Sequence, residues 1–169
     1  MIVLVVTAAF VVLTTLLFFG RNIFNGSSDA RRSDSTIMPS ANDTTSEIKK
    51  GIVIEQDFIN TTDSISNVAI VFSRLSYKEG IDLAIELWDG NDLLAASTYK
   101  IAQIEDQHRT YLEPSSVLSG LKNKELTLKI YPVQQEDTGL VVMMDKDMDT
   151  TFRFGNKTIK GTLCFAITE

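Results

Sequence analysis

Apolar and polar residues alternate along much of the chain after position 50 with the period of two that is typical of a β-strand. The clearest case is the segment 81–88, and the same alternation recurs at 68–72 and at 126–131. A period of two places the apolar residues of each segment on one face of a sheet and leaves the other face more polar. The pattern therefore predicts strands that are each buried on one side.

Shorter segments continue this pattern. Further strand candidates are residues 51–59, 93–101, 109–112, 140–144 and 161–168. Residues that favour turns separate the candidates at 78–80, 89–92, 122–124 and 137–139. About eight short strands at close spacing, without long helical patterns between them, predict an all-β domain built as an antiparallel β-sandwich. A short helical turn is expected near 101–106 or 115–118.

The N-terminal segment has a different pattern. From Ile2 to Phe19 the chain carries no charge, and its only polar residues are threonines. A helix of this length spans roughly 27 Å, close to the roughly 30 Å hydrocarbon core of a bilayer. We therefore predict one transmembrane helix, at residues 1–20, that anchors the chain in a membrane. A cleaved signal peptide and a buried core helix are the alternatives, but the run is long for a signal and no small-x-small site follows it.

Residues 21–50 are rich in Ser, Thr, Asn, Asp and Arg. A segment of this composition buries too little apolar surface to offset the entropy lost on ordering, so it is predicted to be a flexible polar linker. The β-sandwich domain is then expected at residues 51–169.

The side of the membrane on which the domain lies is left open by the sequence. Arg21, Arg31 and Arg32 follow the apolar run, and the positive-inside rule would place the domain in the cytoplasm. The abrupt start of the run after Met1 instead suggests a missing start, as in the tail of a longer multi-span protein, so that the run resembles a last helix as much as a signal anchor. A single-pass protein of the cell membrane with an extracytoplasmic domain is the expected arrangement.

Charge and cysteine content exclude several classes of function. The net charge is −6, and residues 51–169 carry eleven Lys or Arg against eighteen Asp or Glu. An acidic domain repels phosphate backbones, which argues against nucleic acid as a partner. Cys164 is the single cysteine, so an intramolecular disulfide and a cysteine-cluster zinc site are excluded. Its apolar neighbours predict that it is a buried packing residue.

A family resemblance appears in the order of several segments, which are EQDF at 55–58, SISNVAI at 64–70, LAIELWD at 83–89, IED at 104–106 and GTLCFAI at 161–167. Their order resembles that of the jelly-roll domains appended to bacterial cell-envelope membrane proteins, many of them of the glycosyltransferase or polysaccharide-export type. The resemblance covers residues 51–169 and implies a non-catalytic jelly roll akin to carbohydrate-binding modules. It carries over no binding residue, and this chain has one predicted anchor helix where those proteins have many.

The candidate ligand-binding residues are aromatic, because carbohydrate binding uses exposed rings with hydrogen-bonding groups beside them. Trp88, the only tryptophan, occupies the polar phase of its strand close to a turn, and Tyr99, Tyr111 and Tyr131 occupy comparable phases. These four residues form the predicted sugar platform. The alternative is that Trp88 packs in the second layer of the sandwich.

An acidic cluster is the only candidate metal site. The carboxylates of Asp145, Asp147 and Asp149 alternate along the chain, and hard oxygen ligands suit Ca²⁺. An EF-hand loop beginning at Asp145 would need glycine and glutamate at the positions of Thr150 and Asn156. A Ca²⁺ site of another type is therefore the cofactor hypothesis, and a solvated acidic loop is its alternative.

The sequence carries no catalytic motif. His108 is the only histidine, and there is neither a Gly-x-Ser-x-Gly elbow nor a glycine loop for phosphate. A membrane-anchored, non-catalytic binding or accessory module of the cell envelope is the favoured hypothesis. Its expected partner is an envelope glycan or a membrane protein. A structural module for protein–protein assembly is the second hypothesis, and an envelope enzyme is the third.

Overall fold

The computed structural model describes residues 38–169, and this part of the chain is all-β with antiparallel sheets. Its strands are β1 Asp43–Thr44, β2 Ile54–Ile59, β3 Ser64–Ile65, β4 Asn67–Arg74, β5 Asp82–Asp89, β6 Asp92–Lys100, β7 Arg109–Leu112, β8 Leu118–Ser119, β9 Glu125–Pro132, β10 Leu140–Asp145, β11 Thr151–Phe154, β12 Lys157–Lys160, β13 Thr162–Leu163 and β14 Phe165–Thr168. A 3₁₀ turn at Ile101–Gln103 follows β6, at one of the two predicted positions.

Six strands form the first sheet, here called sheet A, in the order β12-β11-β2-β9-β5-β6. Its central strand β9 shows why the alternation forms a sheet. Leu126, Leu128 and Ile130 point inward and are fully buried, whereas the residues between them are half-buried on the other face. Sheet A therefore has an apolar inner face and a polar outer face.

The second sheet, here called sheet B, is built around β4. This strand pairs with β7, β10 and β14, while β1 and β13 pair with β10. Ile70 and Phe72 of β4 belong to the same buried cluster as Leu87 and Leu128 of sheet A. Burial of one such side chain contributes about 1.5–3 kcal/mol. The predicted all-β fold with antiparallel sheets is confirmed, and the arrangement is sandwich-like.

The predicted strands are all present with somewhat different ends, but the hairpin β11–β12 was not predicted. Its two strands have only four residues each, and Gly155 and Asn156 form the loop between them. Gly155 has a φ of +59°, the left-handed value that the first central residue of a tight II′ hairpin turn requires. The loop of this hairpin lines two concave surfaces of the domain.

The packed domain begins earlier than the predicted boundary at residue 51. Asp43 and Thr44 pair with β10, and Ile48 is fully buried in the core. The Thr45 and Ile48 N–H groups donate to the carbonyls of Val142 and Leu140 at 2.9 and 2.8 Å. The end of the predicted linker is therefore part of sheet B. Its polar composition was misleading because main-chain hydrogen bonds, rather than apolar side chains alone, hold it there.

No helix within residues 38–169 is both long and apolar enough to cross a membrane. The transmembrane helix predicted from Ile2 to Phe19 and most of the predicted linker lie outside the described residues. The anchor therefore stays a prediction.

Candidate functional site

A row of alternating charges crosses the outer face of sheet A. The strand register places Arg153 of β11 opposite Glu55 of β2, Glu55 opposite Lys129 of β9, and Lys129 opposite Glu86 of β5. Directly opposed side chains on one face of a sheet lie close enough to interact. The row is therefore cation–anion–cation–anion across four neighbouring strands.

Ion pairs connect the first three members of this row. Glu55 accepts from Arg153 Nε at 2.9 Å and from Lys129 Nζ at 3.2 Å. A second, longer contact of 3.8 Å joins Arg153 to Asp57. Lys129 and Glu55 are only partly exposed, so this arrangement fixes their orientation more firmly than an isolated surface pair would.

Two aromatic side chains donate hydrogen bonds to the Glu86 carboxylate. The Tyr131 hydroxyl donates to Glu86 Oε1 at 2.6 Å, and Trp88 Nε1 donates to Glu86 Oε2 at 2.8 Å. Lys129 Nζ lies 5.0 Å from the centre of the Trp88 ring, within the range of a cation–π contact. The positions of both aromatic side chains are thus fixed by a single carboxylate.

The ionisation of Tyr131 reflects this contact. The hydrogen bond to the Glu86 carboxylate, helped by partial burial, raises the pKa of Tyr131 to about 12. A neutral hydroxyl donates to the carboxylate, whereas a phenolate would face it as a second negative charge. Tyr131 is therefore a hydrogen-bond donor across the whole physiological pH range.

A cleft of about 410 Å³ opens on this face beside the row. Its lining residues include Glu55, Glu86, Lys129 and Tyr131 of the strands and Asn156 of the β11–β12 loop. Small-molecule sites commonly have volumes of about 300–1,000 Å³. The cleft therefore offers carboxylates, a cation, a phenol and an amide to one small polar ligand.

The structure brings together two of the four predicted aromatic residues. Trp88 and Tyr131 share the outer face of sheet A through Glu86. Tyr111 lies on β7 in sheet B, opposite Ala69. Tyr99 lies opposite the buried Leu83, packs against the core, and donates its hydroxyl proton to the Tyr111 carbonyl.

The predicted phase of Tyr99 is wrong, and a β-bulge explains why. The β5–β6 register shifts between Leu87 and Trp88, so that Trp88 faces Leu93 whereas Leu87 faces Ala95. The extra residue reverses the faces of every later side chain on β6. Tyr99 therefore points inward rather than toward the face that Trp88 occupies.

The acidic cluster is arranged around an amide. Asn42 Nδ2 donates to Asp145 Oδ1 at 2.9 Å and to Asp147 Oδ2 at 2.8 Å, while Asp149 lies 3.4 Å from Lys160 Nζ. Within residues 38–169, no group of three His, Cys, Asp or Glu side chains is placed to hold a metal ion. The Ca²⁺ hypothesis stays a prediction that the experiment below includes.

Sequence reasoning missed Glu86, Lys129 and the loop residue Asn156. The first two share the phase of Trp88 and Tyr131 in two predicted strands, so the alternation already placed them on the same face. The signal for Asn156 was the Gly-Asn pair, which is typical of a two-residue hairpin turn. Pairing between distant strands, which a single sequence does not specify, brings these residues to one cleft.

No protein-family model matches the chain, and no curated protein matches it significantly. What the cleft binds is therefore inferred from its chemistry.

Proposed function

We propose that this domain is a non-catalytic binding module of the cell envelope, and that the outer face of sheet A binds a glycan. The observation that carries the proposal is the contact of one carboxylate, Glu86, with both Trp88 and Tyr131 beside a cleft of about 410 Å³. An apolar ring with fixed polar groups next to it suits a sugar, which has both an apolar face and hydroxyl groups.

Glu86 keeps capacity for a ligand although it is already bonded. An ionised carboxylate has about four lone-pair sites, and the Trp88 and Tyr131 donors occupy one on each oxygen. Sugar hydroxyls can donate to the remaining sites of Glu86 and of Glu55. Lys129 and Asn156 supply donors for the hydroxyl oxygens. The row of charges then acts as a preorganised set of partners rather than as a catalyst.

The finer features of the proposal have sequence and topological support. The chain passes between the sheets at most connections, and β9 inserts between β2 and β5, which supports a jelly roll. The uncharged run from Ile2 to Phe19 supports a membrane anchor that places the domain at the cell surface.

A glycan array tests the proposal on the full chain, with and without Ca²⁺. We expect saturable binding to at least one envelope polysaccharide or oligosaccharide. Trp88→Ala should weaken it by about tenfold or more, a loss of about 1.4 kcal/mol. Tyr77→Ala is the matched control, because Tyr77 is an exposed aromatic residue whose ring contacts Arg74 rather than the cleft.

Comparison of glycan binding with and without Ca²⁺ decides whether the acidic cluster binds a metal ion. Binding that requires Ca²⁺ and is lost in Asp145→Asn would assign a ligand-linked metal site to that cluster. Absence of binding in both conditions across envelope glycans, or equal binding by wild type and Trp88→Ala, would contradict the proposal.

A specific observation also favours the assembly hypothesis. Among residues 38–169, β6 pairs only with β5, and it carries no charge or proline from Leu93 to Tyr99. The opposite edge strand of sheet A, β12, carries Lys157 and Lys160, which discourage pairing with another strand. The β6 edge is therefore the place where a strand of another chain would add.

Light scattering on the detergent-solubilised full chain tests this second candidate. A complex that Ala96→Lys abolishes, and Thr158→Lys on β12 leaves intact, would support assembly through β6. A monomeric wild-type chain at all concentrations would contradict self-assembly through this edge.

A further inference from the structure

A second and larger concave surface lies apart from the glycan cleft. A groove of about 910 Å³ is lined by residues 43–47, 49 and 50, by the end of β10 and by the hairpin β11–β12. Only Asn156, in the hairpin loop, lines both this groove and the glycan cleft. A ligand in the groove would therefore use different side chains from a glycan on the outer face.

The wall of the groove is apolar. Its apolar side chains are Ile52, Met144, Phe152, Phe154 and Ile159. Phe152 and Met144 are almost fully buried core residues, whereas the other three are partly exposed and pack against the core. The core of the sandwich is thus continuous with an open apolar surface of the kind that binds a hydrocarbon chain.

The rim of the groove is basic. Its cations are Lys49, Lys50, Lys146, Lys157 and Lys160. Three carboxylates also line the groove, at Asp43, Glu47 and Asp137. Among the residues that line it, the groove thus has an excess of positive charge, and one of its lysines, Lys160, also pairs with Asp149 outside the lining.

The rim carboxylates are largely engaged by other groups. Glu47 accepts from the Gly139 N–H at 2.9 Å, and Asp137 accepts from the Lys50 N–H at 3.1 Å. Asp43 lies 3.8 Å from Lys146. Within residues 38–169, the ammonium groups of Lys49, Lys50 and Lys157 form no ion pair.

The positive charge of the groove contrasts with the negative net charge of the whole domain. Residues 38–169 carry thirteen Lys or Arg against twenty Asp or Glu, and five of those thirteen cations line this one groove. A cationic rim on an acidic domain attracts anions selectively to that surface. The apolar wall excludes a purely polar anion as the best match, and the lysines exclude a neutral hydrocarbon.

We propose that the groove binds an acidic lipid, with one acyl chain on the Ile52–Phe154–Ile159 wall and the anionic headgroup on the lysine rim. Hydrocarbon contact supplies the area that is removed from water, and the lysines supply charge-assisted hydrogen bonds to the headgroup oxygens. The occupant is thus a membrane lipid rather than a soluble phosphate or a peptide.

The test uses the full chain in nanodiscs of phosphatidylcholine, with the fluorescent fatty acid cis-parinaric acid as the probe. Partition of the probe into the lipid gives the same background for every variant, so the difference from empty nanodiscs reports the protein. We expect saturable binding of the acid, and binding of the corresponding uncharged alcohol that is weaker by about tenfold or more.

Two variants separate charge from shape. Lys49→Glu/Lys157→Glu should weaken binding of the acid by about tenfold or more and leave binding of the alcohol unchanged. Ile159→Asn should weaken both, because it disrupts the apolar wall. The control is Lys122→Glu/Lys124→Glu, which makes the same charge change at two lysines that pair with Asp63 and Asp89 and do not line the groove.

Three results of the binding measurements would overturn the proposal. One is the absence of saturable binding above empty nanodiscs, which would follow if a protein segment filled the groove. Another is equal affinity of wild type and the Lys49/Lys157 variant. Displacement of the probe by an equal concentration of inorganic phosphate would assign the rim to a free anion. Because Lys49 and Lys157 are exposed, that variant should fold even if Ile159→Asn does not.

Discussion

Replacement of Glu86 by glutamine tests whether one carboxylate holds the outer face of sheet A. Glutamine has a similar size but offers one acceptor oxygen and one donor group. Trp88 and Tyr131 donate to different oxygens of Glu86, so in the same side-chain orientation the amide places its NH2 group against one of the two donors and accepts only from the other. A hydrogen bond to a charged acceptor contributes about 1.5–3 kcal/mol, and partial exposure lets water replace some of it. We expect Glu86→Gln to lower the free energy of unfolding by about 1–2 kcal/mol.

Ultraviolet titration of the tyrosines gives a more specific readout of the same change. In the wild-type chain the pKa of Tyr131 is about 12, because Glu86 accepts its proton, against an ordinary value of 10.0. The stabilisation from this raised pKa is complete below pH 10 and is lost as the pH rises through 12. Glu86→Gln should remove the late phase of tyrosine ionisation and reduce the loss of stability in that pH window.

Matched variants distinguish this effect from a general loss of charge. Tyr131→Phe should remove the same late phase, while Glu105→Gln, at a carboxylate whose side chain is 76% exposed, should leave it unchanged. Stability is measured by urea denaturation at several pH values. A late tyrosine phase that persists in Glu86→Gln would refute the assignment of Glu86 as the acceptor.

Three further predictions concern the scaffold. Asn60 is fully buried, and its side chain bonds to Thr62 and to the Leu121 carbonyl. Asn60→Ala should therefore lower the free energy of unfolding, measured by urea denaturation, by about 2–4 kcal/mol. Asn91→Ala, in an exposed turn, should lower it little. Gly161 has a φ of +119°, and an added Cβ would lie 2.6 Å from the Asp145 carbonyl oxygen; Gly161→Ala should therefore lower the melting temperature markedly, and an unchanged value would contradict the backbone described. Burial, and secondarily the charge of Asp145, raises the pKa of Cys164 to about 11, so a thiol reagent at about pH 8 should label it only after unfolding, and rapid labelling of the native chain would contradict its burial.

The strands that the sequence predicted best are those with one buried face. β9 keeps a strict alternation because every second side chain enters the core, and that constraint is visible in a single sequence. β5 departs from the alternation only at the buried Ala84, whereas β4 is buried on both faces from Asn67 to Ile70. The shared face of Trp88 and Tyr131 followed from the same alternation. Their contact through Glu86 did not, because it depends on the pairing of β5 with β9.

The failures have physical causes at particular residues. The face of β6 on which Tyr99 lies depends on a one-residue bulge near Trp88, and no local sequence pattern predicts that bulge. The start of the domain was placed too late because residues 43–48 are held partly by main-chain hydrogen bonds to β10. The β11–β12 hairpin was missed because its strands are short, although the Gly155-Asn156 pair is typical of a hairpin turn.

Fluorescence of Trp88 tests the central claim most directly, because it is the only tryptophan of the chain and lies beside the proposed glycan site. The full chain is titrated with a glycan that it binds, and the emission of Trp88 and its quenching by acrylamide are followed. A bound sugar should shift the emission saturably and protect the ring from quenching, and Glu86→Gln should weaken both effects. Saturable glycan binding that leaves the emission and the quenching of Trp88 unchanged would contradict a site on the outer face of sheet A.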